Sequence, residues 1–128
     1  MARILIIDDE PSIRDTLDRI LRLDGHEVEK AADGRHALEA VAARPPDLVI
    51  TDIYMPEMDG IEFLLSLTEA APDIPVVAIS GGAVASAGFV LEDAAQLGAV
   101  ATLAKPFEVE EVRALVRNVL EEHGVEGA

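Results

Sequence analysis

Four short apolar runs in this chain each stop at a charged or hydroxyl residue. The stops are Asp8 and Asp9 after ILII, Asp52 after LVIT, Ser80 after VVAI, and Lys105 after VATLA. Uninterrupted apolar runs of this length are typical of strands buried on both faces of a parallel sheet. Because parallel strands end at a common edge, where ligands bind, the pattern predicts one pocket containing three carboxylates, a hydroxyl and an ammonium.

Segments with helical spacing separate these runs, and a weaker strand is expected from Glu27 to Ala31. The residues expected to face inward are Ile13, Leu17, Ile20 and Leu21; Ala37, Leu38, Val41 and Ala42; Ile61, Leu64, Leu65 and Leu67; and Val109, Val112, Leu115, Val116, Val119 and Leu120. Five βα units joined by short connections predict right-handed crossovers and a five-stranded parallel sheet, an α/β fold.

Composition limits the class of protein. With 128 residues, 50% of them hydrophobic, we expect one domain over residues 1–128, with a core from about residue 2 to residue 123 and no linker or output domain. The net charge of −15 argues against direct binding to nucleic acid or to an anionic membrane surface. Cysteine is absent, and no apolar run approaches a membrane span, so a cytoplasmic protein is expected.

The residues at the strand ends suit phosphoryl chemistry. A carboxylate such as Asp52 attacks phosphorus poorly unless the charge between the two anions is neutralised. Mg²⁺ bridging carboxylate and phosphoryl oxygens would do so, Lys105 can hold another oxygen, and the Ser80 hydroxyl can donate to a third. Taken singly, each residue has an ordinary alternative as a helix-end acid, a surface lysine or a turn serine. Their coincidence at four strand ends favours a site.

Four fragments carry a resemblance to a known family. They are ILIIDDE at the start, DLVITDIYMPEMDG in the middle, VVAIS at the fourth strand and KPF after the fifth. Over nearly its whole length the chain resembles a response-regulator receiver domain of bacterial two-component signalling, a CheY-like domain. This resemblance implies a (βα)5 flavodoxin-like doubly wound fold with strand order 2-1-3-4-5 and helices on both faces.

The resemblance implies a role for each polar residue. For Mg²⁺, it implies Asp9 as a direct ligand, Asp8 as a ligand through water, Asp52 itself, and the backbone carbonyl of Tyr54. The phosphoacceptor would be Asp52.

Beside it, Ser80 would be the switch hydroxyl and Lys105 the phosphate-binding lysine, followed by Pro106 in a peptide bond that the family usually holds cis. The phosphoryl donor would be a histidine kinase or a histidine phosphotransfer protein, docked beside the first helix. Contacts near Ile13, Arg14 and Leu17 are expected there, although helical spacing turns Ile13 and Leu17 toward the core.

The sequence departs from the family at three points. Thr102 stands where the family usually has the switch aromatic, so the form of the switch that buries a ring is missing. Either the signal travels mainly by loop movement or the coupling is weak. A glycine-rich segment at residues 81–88 lengthens one connection, and is either an apolar docking surface or a loop tucked into the core. Tyr54 either shields the pocket or lies on the surface. The three histidines, His26, His36 and His123, are expected at the surface.

Several functions are compatible with these residues. The first is a receiver that signals by phosphorylation-dependent protein binding or relays the phosphoryl group, catalysing at most its own phosphorylation and dephosphorylation. A second is a magnesium-dependent phosphohydrolase, although such enzymes place D-x-D on the first strand. A third is a degenerate receiver acting as a constitutive protein-interaction module, which Thr102 keeps open. The chain could also be the receiver piece of a larger regulator.

Overall fold

Five strands form a parallel sheet in the computed structural model, which describes residues 2–52, 60–80 and 98–124, apart from the side chains at 60, 61 and 80. The strands are β1 (Arg3–Ile7), β2 (Glu27–Ala31), β3 (Leu48–Asp52), β4 (Val76–Ser80) and β5 (Ala101–Ala104). Their spatial order, β2-β1-β3-β4-β5, confirms the flavodoxin-like prediction. Every neighbouring pair is parallel, so the five carboxyl ends lie along one edge.

The helices of the described segments are α1 (Pro11–Leu23), α2 (Gly34–Ala43), α3 (Gly60–Ala70) and α4 (Val109–Glu122). Pro11 opens α1, where its missing N–H would have had no helical partner. Asp33 caps α2, because its carboxylate accepts a hydrogen bond from the His36 backbone N–H at 2.8 Å. The remaining predicted helix and the glycine-rich segment lie outside the described residues. None of the helices in the described ranges has the length and apolarity needed to cross a bilayer.

Helices cover both faces of the sheet, and β1 shows how its residues serve both. Ile4 and Ile6 pack in one cluster with apolar residues of α1 and α4. Leu5 and Ile7 pack in a second cluster with residues of α2 and α3. All four side chains are fully buried. A strand enclosed on both faces has no solvent-facing positions, which explains why its sequence is continuously apolar.

Some inward positions were predicted wrongly. Leu65 and Val109 are each 50% exposed, and Ala42 is also exposed. A helix on one face of a sheet buries one stripe, and Ala42 and Leu65 each lie about 100° beyond a buried neighbour. Val109 occupies the first position of α4. Phe63, which the pattern did not include, is fully buried, and β5 begins one residue after the expected Val100.

Candidate phosphoryl-transfer site

The carboxyl ends of β1, β3 and β5 bring Asp8, Asp52 and Lys105 together. Asp8 directly follows β1, Asp52 is the last residue of β3, and Lys105 directly follows β5. The Lys105 Nζ atom lies 3.1 Å from Asp8 Oδ2 and 3.4 Å from Asp52 Oδ2. Both carboxylates are buried, whereas the Lys105 side chain is 18% exposed. The Lys105 ammonium therefore contacts two buried carboxylates while part of its side chain is in solvent.

Asp8 is held tightly but incompletely satisfied. Its Oδ1 atom accepts a hydrogen bond from the Glu10 backbone N–H at 2.9 Å, and its backbone carbonyl accepts one from Arg14 Nη1 at 2.6 Å. Among the described residues, no hydrogen-bond donor is aligned with its buried Oδ2 atom, although the Lys105 ammonium approaches it. Burial, followed by the nearby Asp52 charge, raises the pKa of Asp8 above its usual range. Asp8 Oδ2 is thus positioned to interact with a cation.

The charge of Lys105 is reinforced by its surroundings. Burial by itself would lower the pKa of Lys105, but the charges of Asp52 and Asp8, with a smaller contribution from Glu10, more than offset it. The net effect raises the pKa above its ordinary value, so the ammonium is retained at neutral pH. The Lys105–Pro106 peptide bond is cis, as the resemblance implies. A permanent positive charge at this edge suits binding of a phosphoryl oxygen.

The acidic residues fit Mg²⁺. Carboxylate oxygens of Asp8, Asp9 and Glu10 all lie within 4.8 Å of one another. Asp9 and Glu10 are exposed, so a hard cation held here would keep some of its water, as Mg²⁺ prefers. The fit also rests on Asp8 Oδ2, the buried oxygen without an aligned donor, which a cation or its bound water would satisfy.

Of the remaining predicted site residues, the structure describes Thr102 fully, Ser80 by its backbone and Tyr54 not at all. Ser80 ends β4 and pairs in register with Ala104, so its backbone lies at the same edge, next to Lys105. Thr102 lies within β5, opposite Ala78, and is partly buried. Tyr54 lies outside the described residues. The structure therefore assembles the acids and the lysine, and locates the serine by its backbone.

Glu10 contacts the candidate site although the sequence pattern did not single it out. Its Oε1 atom lies 3.4 Å from Lys105 Nζ. Glu10 is the N-cap residue of α1, but its side chain makes no capping hydrogen bond. The sequence signal was its position directly after the paired aspartates, which puts a third carboxylate at the same strand end.

An open apolar groove adjoins Lys105. Its volume is about 450 Å³, and its lining residues are Ile13, Thr16, Lys105, Pro106 and Phe107. The groove thus runs from α1 to the segment that follows β5. Of the three residues named as donor contacts, Ile13 lines it, whereas Leu17 is fully buried and Arg14 is bonded to the Asp8 carbonyl.

None of the hydrogen bonds or ion pairs of the three histidines within the described residues involves Lys105. His36 and His123 are exposed, as expected. His26 is only partly exposed, and its Nδ1 atom accepts a hydrogen bond from the Ala2 backbone N–H at 3.2 Å. Burial lowers the pKa of His26. The surface prediction therefore needs correction for His26, because the start of β1 covers part of its ring.

Comparisons with known proteins agree with this geometry. Residues 4–117 match the family described as response regulator receiver domain. The response regulator MprA of Mycolicibacterium vanbaalenii is 38% identical over 119 residues, which are 93% of this chain and 50% of that protein. The chain spans about half the length of the curated relatives it matches.

Solved structures of similar fold include a receiver domain and a chemotaxis protein. The receiver domain of NtrX from Brucella abortus superposes with a TM-score of 0.85 at 35% identity, over 92% of this chain and 98% of that one. The chemotaxis protein CheY4 of Vibrio cholerae superposes with a TM-score of 0.83 at 32% identity, over 94% and 99%.

Proposed function

This chain belongs to the response regulator receiver domain family, and from this premise we propose that it accepts a phosphoryl group on Asp52. The donor would be a histidine kinase or a histidine phosphotransfer protein, and Mg²⁺ would be required. The output would be phosphorylation-dependent binding to a protein target or onward relay. The observation that carries this proposal is the Lys105 ammonium held between buried Asp8 and Asp52 at one sheet edge.

The mechanism follows from the positions of these groups. An Asp52 carboxylate oxygen attacks phosphorus, and the bond from the donor atom to phosphorus breaks, which leaves an acyl phosphate on Asp52. Lys105 binds a phosphoryl oxygen, since its ammonium already lies 3.4 Å from Asp52 Oδ2. Mg²⁺, when bound, supplies the second neutralising charge. Asp8 and Asp9 would hold it, with Asp52 and the Tyr54 carbonyl completing the protein ligands.

Ser80 and Thr102 belong to the response that follows. Ser80 would donate its hydroxyl to a phosphoryl oxygen, which is consistent with its backbone register beside Ala104. Thr102 has no ring to bury when Ser80 moves. We therefore propose that the response to phosphorylation of Asp52 does not use burial of a ring on β5.

The phosphoryl donor would dock over the groove between α1 and the Lys105–Phe107 segment. Ile13 and Phe107 offer apolar contacts there, and Lys105 reaches from the groove to the acidic site. A donor seated in this groove would bring its phosphohistidine to Asp52. This docking mode replaces the earlier contact set, because buried Leu17 has no surface to offer.

Family membership and Thr102 bear on the alternative functions. Family membership argues against the phosphohydrolase, so the chain is proposed to have no enzymatic activity beyond its own phosphorylation cycle. A constitutive interaction module remains the alternative, and Thr102 is the residue that favours it. The domain could act alone, as first expected, or within a larger regulator, and its partners would differ between the two settings. In either setting we propose a cytoplasmic location, a protein target and no direct contact of this domain with nucleic acid or membrane.

Intact mass after incubation with a small-molecule phosphodonor tests the proposal. The parent chain should gain one phosphoryl group with magnesium and none in its absence. Asp52→Asn, which is nearly isosteric, should gain none. Asp73→Asn is the matched control, because Asp73 lies in the exposed turn before β4, at the opposite edge of the sheet, and it should behave like the parent. Equal labelling of Asp52→Asn and the parent would falsify the acceptor assignment.

A further inference from the structure

We propose that Glu10 is a positioning residue that competes with the phosphoryl group for Lys105, and so slows phosphorylation of Asp52. The inference rests on the proposed function, because it concerns the same lysine. The observation that carries it is the ion pair between Glu10 Oε1 and Lys105 Nζ, at 3.4 Å, which joins residues 95 positions apart in the chain.

The side chain of Glu10 is directed to this pair rather than to the helix it begins. Glu10 is the N-cap of α1, where an acidic side chain commonly accepts a hydrogen bond from the first turn. The backbone carbonyl of Glu10 accepts the Ile13 and Arg14 N–H groups, at 3.2 Å each, but its carboxylate makes no capping bond. The carboxylate is therefore available to contact the lysine.

Lys105 has three N–H donors and three acidic neighbours. Its Nζ atom lies 3.1 Å from Asp8, 3.4 Å from Asp52 and 3.4 Å from Glu10. An ammonium can donate only three hydrogen bonds. Because Lys105 already donates hydrogen bonds to Glu10 and Asp52 and contacts Asp8, a phosphoryl oxygen arriving on Asp52 competes with these acids for the ammonium.

Glu10 is the neighbour that can leave. Its side chain is 58% exposed, whereas those of Asp8 and Asp52 are 0% and 8% exposed and lie at strand ends. The Glu10 backbone N–H is bonded to Asp8 Oδ1, so rotation of the side chain alone releases the lysine. Because phosphorylation also adds negative charge beside Lys105, it repels the Glu10 carboxylate and favours this exchange.

The exchange has a kinetic consequence. While Glu10 holds Lys105, one donor is withheld from the transition state, and one more negative charge opposes the approach of an anionic phosphodonor. Removing that charge should therefore accelerate phosphorylation. A rival role for Glu10, as a magnesium ligand, predicts instead a loss of magnesium affinity, with no acceleration once magnesium is saturating.

The test compares Glu10→Gln with the parent in a small-molecule phosphodonor assay, at magnesium concentrations that saturate each protein. We expect Glu10→Gln to react about two- to fivefold faster, the range that a partly exposed ion pair supports. Glu27→Gln is the matched control. Glu27 is an acid of similar exposure, 47%, paired with Arg3 and Arg44 at the opposite edge of the sheet, and this variant should react at the parent rate.

Two further readouts separate a positioning role from a structural one. In a Lys105→Gln background, Glu10→Gln should accelerate the reaction less than it does in the parent, because only the repulsion of the anionic phosphodonor remains to be relieved. Magnesium affinity, measured by calorimetry, should change less than about threefold in Glu10→Gln. An equal gain in both backgrounds, a rate no faster than the parent, or a more than tenfold loss of magnesium affinity each overturns the proposal.

This test also separates failure of the inference from failure of the proposed function. A parent chain that gains no phosphoryl group contradicts the receiver function itself. A parent that is labelled at Asp52, with Glu10→Gln no faster, contradicts only the role of Glu10.

Discussion

Asp8 is the residue of the candidate site whose negative charge is most unfavourable in the folded state. Its carboxyl group is fully buried, one oxygen lacks an aligned donor in the described part of the chain, and Asp52 shares its cation. Burial, then the Asp52 charge, raises the pKa of Asp8. The folded state therefore holds the Asp8 proton more tightly than the unfolded state does. The buried Asp8 carboxylate therefore lowers the free energy of unfolding, but it lies where it can bind a cation.

Asp8→Asn should raise the free energy of unfolding in magnesium-free buffer at pH 7, by about 1 kcal/mol. Because the folded-state pKa of Asp8 is raised, the parent loses stability as the pH rises from near 4 through that pKa, and the variant does not. Urea unfolding at pH 4 and pH 7 measures both proteins. The variant's advantage should be larger at pH 7, and an equal difference at the two pH values would contradict this account.

The sequence predicted some of the site residues and not others for a physical reason. Asp8, Asp52 and Lys105 follow apolar strands, so the topology of a parallel sheet is enough to bring them together. The direction of the Glu10 side chain depends on a lysine 95 residues away, which no local pattern encodes. For the same reason no local pattern predicts the hydrogen bond that Arg14 donates to the Asp8 carbonyl.

The entry into β5 determines where Lys105 is placed. Gly98 has a φ of +111°, and a Cβ atom on it would lie 2.7 Å from Thr68 Oγ1. That hydroxyl donates a hydrogen bond to the Leu64 carbonyl of α3 at 2.8 Å. Ala99, the next residue, is buried in the cluster shared with α3. The chain can therefore approach α3 before entering β5 only with glycine at this position.

Gly98→Ala should lower the free energy of unfolding by about 3 kcal/mol, because it combines backbone strain with a clash against Thr68. Gly25→Ala is the matched control. Gly25 also has a positive φ, +86°, but nothing lies within 4 Å of its Cβ position, so only the strain of about 1 kcal/mol is expected. Urea unfolding measures both losses. If Gly98→Ala lost no more than Gly25→Ala, the proposed contact would be absent.

The accuracy with which the sequence predicts strands and helices depends on how completely each element is buried. The strands were predicted closely, since an enclosed strand such as β1 must be apolar throughout. Helical stripes were less reliable, because a helix half covered by a sheet leaves apolar residues such as Leu65 in solvent. The inclusion of Phe63 in the core depends on the angle at which α3 lies on the sheet, and the sequence does not specify that angle.

Across the whole molecule, acidic residues outnumber basic ones, 25 against 10, and the net charge is −15. Such a charge repels anionic phosphodonors, so the proposed acceptance of a phosphoryl group would depend on local neutralisation by Lys105 and a bound cation. It also favours partners with basic surfaces around the apolar groove between α1 and the segment after β5. The proposed function of the domain therefore depends on one carboxylate, Asp52, at one edge of the sheet.

The most direct test of that centre is to locate the phosphoryl group chemically. Borohydride reduces an aspartyl phosphate to homoserine, and tandem mass spectrometry of the digested protein then identifies the reduced position. After incubation with phosphodonor and magnesium, we predict homoserine at position 52 and at no other aspartate. Homoserine at position 8 or 9, or its absence everywhere in a sample whose intact mass shows a phosphoryl group, would contradict the account.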